Sequence, residues 1–326
     1  MHYWNSPFVD WHRELPDGWD MYVCHLRSSR SKARVSAVHE MLALLGDYQP
    51  VPLLSGVRAD QKGLFWIGVK AEYRPCVSPL LSHLGYTDQV DLLGPPNPIG
   101  AEPVEGGQWM TWKGEECFLQ TVYQEDRAGM RDRAPDRRTF MLQDAHGAIV
   151  PVRGYRGDGE ALSRRGLPPE DARLLVNLVR PRRLNRESPP LLDPFAGVGG
   201  IVLEAIDSGF EAVSMDIDPI VQYGLQNVTH RHILASAGDL PLAGGQFGAV
   251  ATEPPFHAEA RPVVMKLMRE FDRVLIPGGR CSVMTVEWQL EILEHDAARL
   301  GFELVLKERV DRKGTAVWVG VWQKPE

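Results

Sequence analysis

A glycine-rich turn between an apolar run and an amphipathic run constrains the fold of this chain more than any other feature. The apolar run ends at Asp193, Gly197 and Gly199 follow in the turn, and the amphipathic segment starts at Ile201. This order predicts a strand, a tight loop and a helix N-terminus, which together open a nucleotide-binding βα unit. An ordinary strand-to-helix turn is the alternative. The acid favours a ligand site, because a carboxylate repels phosphate but suits a cationic amino group.

Two further turns continue the pattern. Asp216 and Ile217 follow a predicted strand at 211–215, and a carboxylate there can accept hydrogen bonds from both hydroxyls of a ribose. Asp218 precedes a proline, which is typical of a helix N-cap, so we assign Asp218 to capping. The turn at 238–240 follows another short apolar run and is placed to bracket an adenine, although its acid is equally typical of a simple turn.

The fourth strand and the loop after it indicate the type of reaction. A buried strand at 248–252 ends in Glu253, Pro254, Pro255 and Phe256. Two consecutive prolines prevent ladder pairing and fix a rigid loop. Such a loop can hold an acceptor and an aromatic ring at the carboxyl edge of the sheet, where a flat base stacks and presents its exocyclic amine. A proline-rich surface turn is the alternative interpretation.

These motifs resemble those of the RNA and DNA amino-methyltransferases, whose fourth motif is Asp/Asn-Pro-Pro-Tyr/Phe. The run from Asp193 to Ala205 and the preceding helix-like segment 167–179 are most similar to the THUMP-type tRNA guanosine-N2 methyltransferases. The resemblance implies S-adenosylmethionine as cofactor and assigns Glu253, Pro254, Pro255 and Phe256 to the target amine. The expected cofactor-binding residues are Asp193, Pro194, Phe195, Ala196, Gly197, Gly199, Asp216, Ile217, Gly238, Asp239 and Leu240.

One residue departs from the family pattern. Glu253 stands where most members have Asp or Asn. Its extra methylene moves the carboxylate forward by about 1.5 Å, which is enough to affect a near-attack geometry. Either the substrate sits further back, or its amine differs from that of guanine.

Length and composition fit a two-domain enzyme. The chain has 326 residues, too many for one methyltransferase fold, and 44% of them are hydrophobic. The predicted division is an α+β accessory domain over 1–150, THUMP-like by the resemblance, a linker over 151–165 and a methyltransferase domain over 166–326. Four scattered cysteines without a Cys-x-x-Cys pair predict neither a zinc site nor a disulfide framework. No signal-like or membrane-spanning run is present, so we expect a cytoplasmic protein without a membrane partner.

Positive charge is concentrated in one segment of an otherwise acidic chain. The net charge is −7, yet residues 127–186 hold fourteen arginines and seven acids, a local charge of +7. This segment is either a phosphate-contacting surface or a solvated linker whose arginines pair with neighbouring acids. The residues that we select as candidate RNA contacts are Arg131, Arg133, Arg137, Arg138, Arg164 and Arg165.

The two ends of the chain define the fold class. The first 150 residues contain strand and helix patterns in alternation, typical of a small α+β module. Near the C-terminus, helices over 258–275 and 288–300 flank a fifth strand over 280–286. Strands over 302–307 and 316–323 then form an antiparallel hairpin. The prediction is an α/β fold with a seven-stranded, Rossmann-like methyltransferase sheet in the C-terminal half.

Three functions agree with these features. The first is N-methylation of an exocyclic amine of a nucleobase in RNA, with guanosine in tRNA as the leading candidate. The second is N-methylation of a small amine-bearing metabolite, which the net acidity and Glu253 favour. The third is a non-catalytic RNA-binding protein that keeps the cofactor fold, which would require a broken cofactor site.

Overall fold

The computed structural model describes residues 18–53, 63–93, 107–112, 115–125, 139–153, 166–182, 184–312 and 314–326. The chain divides into two compact units, Met1–Asp126 and Arg127–Glu326. No helix within the described ranges is long and apolar enough to cross a membrane.

The N-terminal unit contains an antiparallel sheet of six strands in the order β2-β3-β1-β4-β6-β5. Its strands are β1 Trp19–Leu26, β2 Val51–Leu53, β3 Leu64–Lys70, β4 Thr87–Leu93, β5 Gly107–Trp112 and β6 Glu115–Gln124. Its helices are α1 Arg34–Leu44 and α2 Arg74–Leu80. The expected α+β architecture of this region is confirmed.

A buried acid joins α1 to the start of β4. Glu40 is fully buried, and its carboxylate accepts hydrogen bonds from the backbone N–H groups of Gly85 and Tyr86 at 2.7 and 3.0 Å. Because an unpaired buried carboxylate is costly, these two bonds fix the helix against the sheet. Trp66 on β3 is also buried, as expected for a tryptophan that serves core packing.

The C-terminal unit contains the predicted seven-stranded sheet, in the order β11-β10-β9-β12-β13-β15-β14. Strands β9 to β13 pair in parallel, and β14 and β15 add an antiparallel hairpin. The strands are β9 Leu191–Asp193, β10 Ala212–Asp216, β11 His232–Leu234, β12 Phe247–Thr252, β13 Leu275–Thr285, β14 Glu303–Arg312 and β15 Thr315–Gln323. The helices are α3 Pro169–Leu178, α4 Gly200–Asp207, α5 Pro219–Val228, α6 Arg261–Val274 and α7 Glu287–Leu300.

Helices cover both faces of this sheet. Cys281 and Val283 on β13 belong to the apolar core that the sheet shares with α6 and α7. Ser282 lies between them and therefore faces the opposite side, where its hydroxyl donates to the Leu175 carbonyl of α3 at 2.7 Å. Burial on both faces explains why the parallel strands read as continuous apolar runs in the sequence.

A separate hairpin belongs to the C-terminal unit, so the boundary between the two units lies earlier in the chain than the sequence predicts. Strands β7 Thr139–Gln143 and β8 Ile149–Arg153 pair with each other, and β7 packs on α5 of the C-terminal unit. The structural division at 126/127 therefore precedes the expected boundary at 150. Sequence periodicity does not reveal this packing, because the contact partner is a glycine, Gly224, within α5.

Two local predictions also differ from the structure. Strand β13 begins at Leu275 rather than at 280, and β14 extends to Arg312 rather than ending at 307. Both differences reflect tertiary pairing that outweighs local turn chemistry: β13 pairs with β12 and β15, and β14 pairs along its length with β15.

Gly224 gives a direct test of the hairpin packing. A Cβ atom at this position would lie 2.1 Å from the backbone carbonyl oxygen of Met141. Glycine-to-alanine in a helix normally stabilises by about 0.5–1 kcal/mol. We expect Gly224→Ala instead to reduce the free energy of unfolding by about 1–3 kcal/mol, because the hairpin must move.

The measurement is urea unfolding followed by circular dichroism. Gln226→Ala, an exposed position on the same helix, serves as the control and should change stability by about 0.5 kcal/mol or less. A stabilised Gly224→Ala variant would show that the hairpin does not rest on α5 in solution.

Candidate functional site

The carboxyl ends of three adjacent parallel strands bring the main predicted motifs together. The strands β10, β9 and β12 are neighbours in the sheet and run in the same direction. Asp216 ends β10, Asp193 ends β9, and Glu253 directly follows β12. Open α/β sheets bind their ligands at this edge.

Asp193 is buried at this edge with one carboxylate oxygen unsatisfied. Its Oδ1 accepts hydrogen bonds from the Thr252 hydroxyl at 2.8 Å and from the Phe195 N–H at 3.2 Å. Its Oδ2 has no hydrogen-bond partner among the residues that the structure describes. Burial raises the pKa of Asp193 to about 7, against the lowering effect of these bonds, and the charges of Asp216 and Glu253 raise it further. A cationic ligand group is the complement that such an oxygen requires.

The glycine turn is held by the next acid along the sheet edge. Gly197 and Gly199 both have positive φ angles, 51° and 96°, which glycine adopts without a Cβ penalty. The Gly197 N–H donates to Asp216 Oδ2 at 2.8 Å, and the Asp218 N–H donates to Asp216 Oδ1 at 2.9 Å. Each Asp216 oxygen can accept a second bond, so the carboxylate can still receive two ribose hydroxyls. As predicted, Asp218 caps α5, accepting from the Ile220 N–H at 3.0 Å.

The other residues of the first motif support the turn. Pro194 and Ala196 are buried, and the Ala196 N–H donates to the Met215 carbonyl at 2.9 Å. Phe195 is partly buried and packs against the main core. These three residues fix the path of the chain between Asp193 and Gly197.

Two further predicted cofactor positions lie beside β10 and β11. Ile217 follows Asp216 and is 70% exposed, unusually high for an isoleucine, which leaves its side chain accessible to a flat ring. In the turn at 238–240, Gly238 packs close to Val263 of α6, and the Leu240 N–H donates to Glu270 at 2.9 Å. Asp239 is exposed at the same turn.

The Glu-Pro-Pro-Phe loop is anchored through its backbone. Pro254 is buried, Pro255 is exposed and Phe256 is partly buried. The Gln289 side chain on α7 donates to the Pro255 carbonyl at 2.7 Å. This bond fixes the backbone of the loop two residues after Glu253.

Glu253 is paired with an arginine from the far end of the sheet. Its Oε1 accepts a hydrogen bond from Arg312 Nη1, and Arg312 Nε lies 3.6 Å from Asp171 Oδ2. Burial raises the pKa of Glu253 to about 7 although the Arg312 charge lowers it, and Asp171 raises it again. The site thus holds a carboxylate that is ionised only in part near neutral pH.

Four further residues contribute to this site without a recognisable sequence motif: Thr252, Gln289, Asp171 and Arg312. Neither Thr252 nor Gln289 belongs to a sequence motif. Thr252 could still have been noticed, because it is a polar residue at the end of a predicted buried strand. Asp171 and Arg312 reach Glu253 only through the fold, since 59 residues separate Glu253 from Arg312. No local pattern connects them.

The structure describes only part of the arginine-rich segment 127–186. Arg131, Arg133, Arg137, Arg138, Arg164 and Arg165 lie outside the described residues. Two other arginines of the segment serve the interior of the C-terminal unit. Arg173 pairs with buried Glu204 at 3.0 Å, and Arg180 donates to the Ser208 carbonyl at 3.0 Å.

A family model for a methyltransferase domain matches residues 192–283 of this chain. The match begins at the predicted first motif, contains the Glu-Pro-Pro-Phe loop and ends within β13. The prediction of a methyltransferase fold is therefore confirmed over the strands that build the site.

Two curated relatives are both named tRNA (guanine(10)-N2)-dimethyltransferase. The protein of Pyrococcus abyssi is 31% identical over 125 residues, which cover 33% of this chain and 36% of the relative. The protein of Methanothermobacter thermautotrophicus is 35% identical over 115 residues, which cover 32% of this chain and 33% of the relative. The matched region spans about a third of the length of each of these relatives.

A solved structure extends the likeness to both units. The crystal structure of TrmN from Thermus thermophilus has a TM-score of 0.51 and 19% sequence identity, covering 93% of this chain and 99% of that chain. At this identity the likeness shows the fold. The resemblance to tRNA guanosine-N2 methyltransferases is confirmed by these comparisons, and the C-terminal unit has the methyltransferase fold.

Proposed function

We propose that this chain is an S-adenosylmethionine-dependent N-methyltransferase that acts on the exocyclic amine of guanosine in tRNA. One observation supports the proposal most strongly. The unsatisfied Oδ2 of Asp193 and the loop that begins at Glu253 lie at the ends of two adjacent strands, at the same edge of the sheet. The names of the two curated relatives support guanine as the base.

The cofactor fits the residues of the first two strand ends. Asp193 Oδ2, which lacks a partner, would hold the ammonium of its methionine part, and Asp216 would accept the ribose hydroxyls. The exposed Ile217 side chain and the turn at Gly238, Asp239 and Leu240 would flank the adenine. When bound, S-adenosylmethionine supplies a methyl group on a positively charged sulfur. The amine nitrogen takes this group while the sulfur keeps the electrons of the broken C–S bond.

The residues of the fourth strand end prepare the amine. Its nitrogen lone pair is delocalised into the base ring, so the amine is a poor nucleophile until its geometry becomes pyramidal. Acceptors on its two hydrogens, the Glu253 carboxylate and the Pro254 carbonyl, favour that geometry. Phe256 stacks on the base and holds the nitrogen in line with the methyl group. After transfer, one proton leaves the nitrogen for Glu253 or for water.

The first prediction tests the partner of Asp193. Because the pKa of Asp193 is about 7, a proton must leave before the carboxylate can pair with an ammonium. Affinity for S-adenosylhomocysteine, which keeps the ammonium, should rise about tenfold per pH unit up to about pH 7 and then level off. Asp193→Asn should bind at least tenfold more weakly at pH 8 and lose this pH dependence.

Calorimetric titration between pH 5.5 and 8.5 measures both effects. Methylthioadenosine, which lacks the amino-acid part, is the matched ligand control and should show little pH dependence with either protein. An unchanged pH slope in Asp193→Asn would remove the ammonium from this position.

The second prediction tests the catalytic role of Glu253. Replacing its carboxylate with a neutral amide weakens the acceptor, so Glu253→Gln should lower turnover about a hundredfold or more with cofactor affinity little changed. Single-turnover methyl transfer to tRNA is the measurement. Glu259→Gln, an exposed acid six residues away, should keep full activity. Full activity in Glu253→Gln would assign the orientation of the amine to the Pro254 carbonyl alone.

The third prediction separates RNA from a small amine as substrate. If the arginine-rich segment contacts phosphates, tRNA affinity should fall about tenfold or more between 50 and 200 mM salt. Replacing Arg131, Arg133, Arg137 and Arg138 together with alanine should weaken tRNA binding and reduce this salt slope, because four phosphate contacts are removed.

Filter binding at several salt concentrations provides the measurement. The control replaces three exposed arginines elsewhere, Arg269, Arg299 and Arg309, and should leave both affinity and slope nearly unchanged. No tRNA binding by the unaltered protein at 50 mM salt would favour a small amine-bearing metabolite, since an acidic chain is repelled by polyanions.

A further inference from the structure

The hairpin of β14 and β15 carries Arg312 beyond the end of the central sheet. Arg309 on β14 lies opposite Trp318 on β15, and Trp318 lies opposite Thr285, the last residue of β13. The three residues that follow Arg309 therefore extend about 10 Å past β13, at about 3.4 Å per residue. This overhang brings a side chain of the outermost strand to the edge where β12 ends.

At this edge the Arg312 guanidinium lies between two carboxylates. It donates through Nη1 to Glu253 Oε1, and its Nε faces Asp171 Oδ2 of α3 at 3.6 Å. Met284 Sδ lies 3.7 Å from Nη1. The Asp171 side chain is 0% exposed, whereas those of Arg312 and Glu253 are 23% and 21% exposed. Arg312 thus makes a hydrogen bond with Glu253 and a longer ion pair with the fully buried Asp171, and the attraction of Asp171 restrains the guanidinium beside Glu253.

The pairing with Arg312 uses only one of the two Glu253 oxygens. Because Oε1 already accepts from Arg312, Oε2 has more accepting capacity left and is the oxygen that we assign to an amine. The extra methylene of glutamate adds one rotatable bond and about 1.5 Å of reach compared with aspartate. Because Arg312 holds Oε1, it removes the rotational freedom that the extra bond gives to the Glu253 carboxylate.

We propose that Arg312, anchored by Asp171, is a positioning residue for the methyl transfer, because it holds the Glu253 carboxylate in one orientation with Oε2 directed to the amine. This inference rests on the proposed function and explains how a glutamate serves where related enzymes have a shorter residue. Arg312 acts through Glu253 and does not itself contact the reacting atoms.

The same contact controls the charge of Glu253. The charged groups that face Glu253 are Arg312 from β14, Asp171 from α3 and Asp193 from β9. Arg312 lowers the pKa of Glu253, whereas burial and Asp171 raise it. Without the guanidinium the pKa of Glu253 rises further above its present value of about 7, and the carboxylate is protonated over a wider pH range.

The pH profile of methyl transfer tests this role. In Arg312→Gln the acidic limb of kcat/KM should move to higher pH by about one unit or more, so that activity at pH 7 falls about fivefold or more and partly recovers near pH 9. Arg312→Lys keeps the charge, so its acidic limb should stay nearer that of the unaltered enzyme, with a lower plateau because the fork geometry is lost. Arg309→Gln, an exposed arginine on the same strand, is the matched control and should leave the profile unchanged.

Two outcomes would overturn the proposal. A loss in Arg312→Gln that is equal at every pH would indicate a structural role alone, and thermal unfolding would then show a lower Tm. In a Glu253→Gln background, Arg312→Gln should add less than about a twofold further loss, because the group that it positions is already altered. If the loss of activity in the double variant equals the sum of the losses in the two single variants, on a free-energy scale, Arg312 does not act through Glu253 and the proposal is contradicted.

A second readout separates this inference from the proposed function. The Glu253 carboxyl can be titrated by NMR in protein labelled at the glutamate side-chain carboxyl carbons, with its signal assigned by its absence in Glu253→Gln. If the enzyme methylates no amine, the proposed function fails, yet the Glu253 pKa should still rise in Arg312→Gln. An unchanged pKa in that variant would overturn the inference whatever the substrate.

Discussion

The constraint on which the candidate site depends is the burial of acidic side chains at the carboxyl edge of the parallel sheet. Asp193, Asp216 and Glu253 arrive there because β9, β10 and β12 are parallel neighbours, and topology alone places their ends together. The fold offsets this charge in three ways. Backbone N–H groups of the glycine turn satisfy Asp216, the Thr252 hydroxyl and a backbone N–H satisfy one oxygen of Asp193, and Arg312 pairs with Glu253. The second oxygen of Asp193 stays uncompensated, and burial is the main cause of the raised pKa values of Asp193 and Glu253, to which neighbouring acids add a smaller effect.

This distribution explains how one edge can accept two different ligands. The uncompensated oxygen of Asp193 favours a cation, whereas Glu253 is already paired and suits a neutral hydrogen-bond donor such as the amine of a base. Strand β12 connects Asp193 and Glu253. The hydroxyl of Thr252, the last residue of β12, donates to Asp193, and the next residue in the chain is Glu253. A displacement of β12 would therefore move the acceptor carboxylate and disturb the cofactor acid together.

The sequence predicted those parts of the site whose function depends on local chain chemistry. The glycine turn, the capping role of Asp218 and the rigid proline loop could be predicted because each is determined by a few consecutive residues. Arg312, Asp171 and Gln289 could not be, since they reach the site through the hairpin overhang and through packing of α3 and α7. The hairpin of β7 and β8 could not be predicted for the same reason, as its packing depends on one glycine in α5. The number of strands in this sheet was expected, whereas the order of the strands is known only from the structure.

The central claim is that this edge transfers a methyl group to the exocyclic nitrogen of guanosine in RNA. Incubation of the full chain with S-adenosylmethionine carrying an isotopic methyl label and total tRNA, followed by digestion to nucleosides and mass spectrometry, measures this directly. We predict label on N2 of guanosine. Label recovered only in a small-molecule fraction, or on no nucleoside while the cofactor binds normally, would contradict the claim.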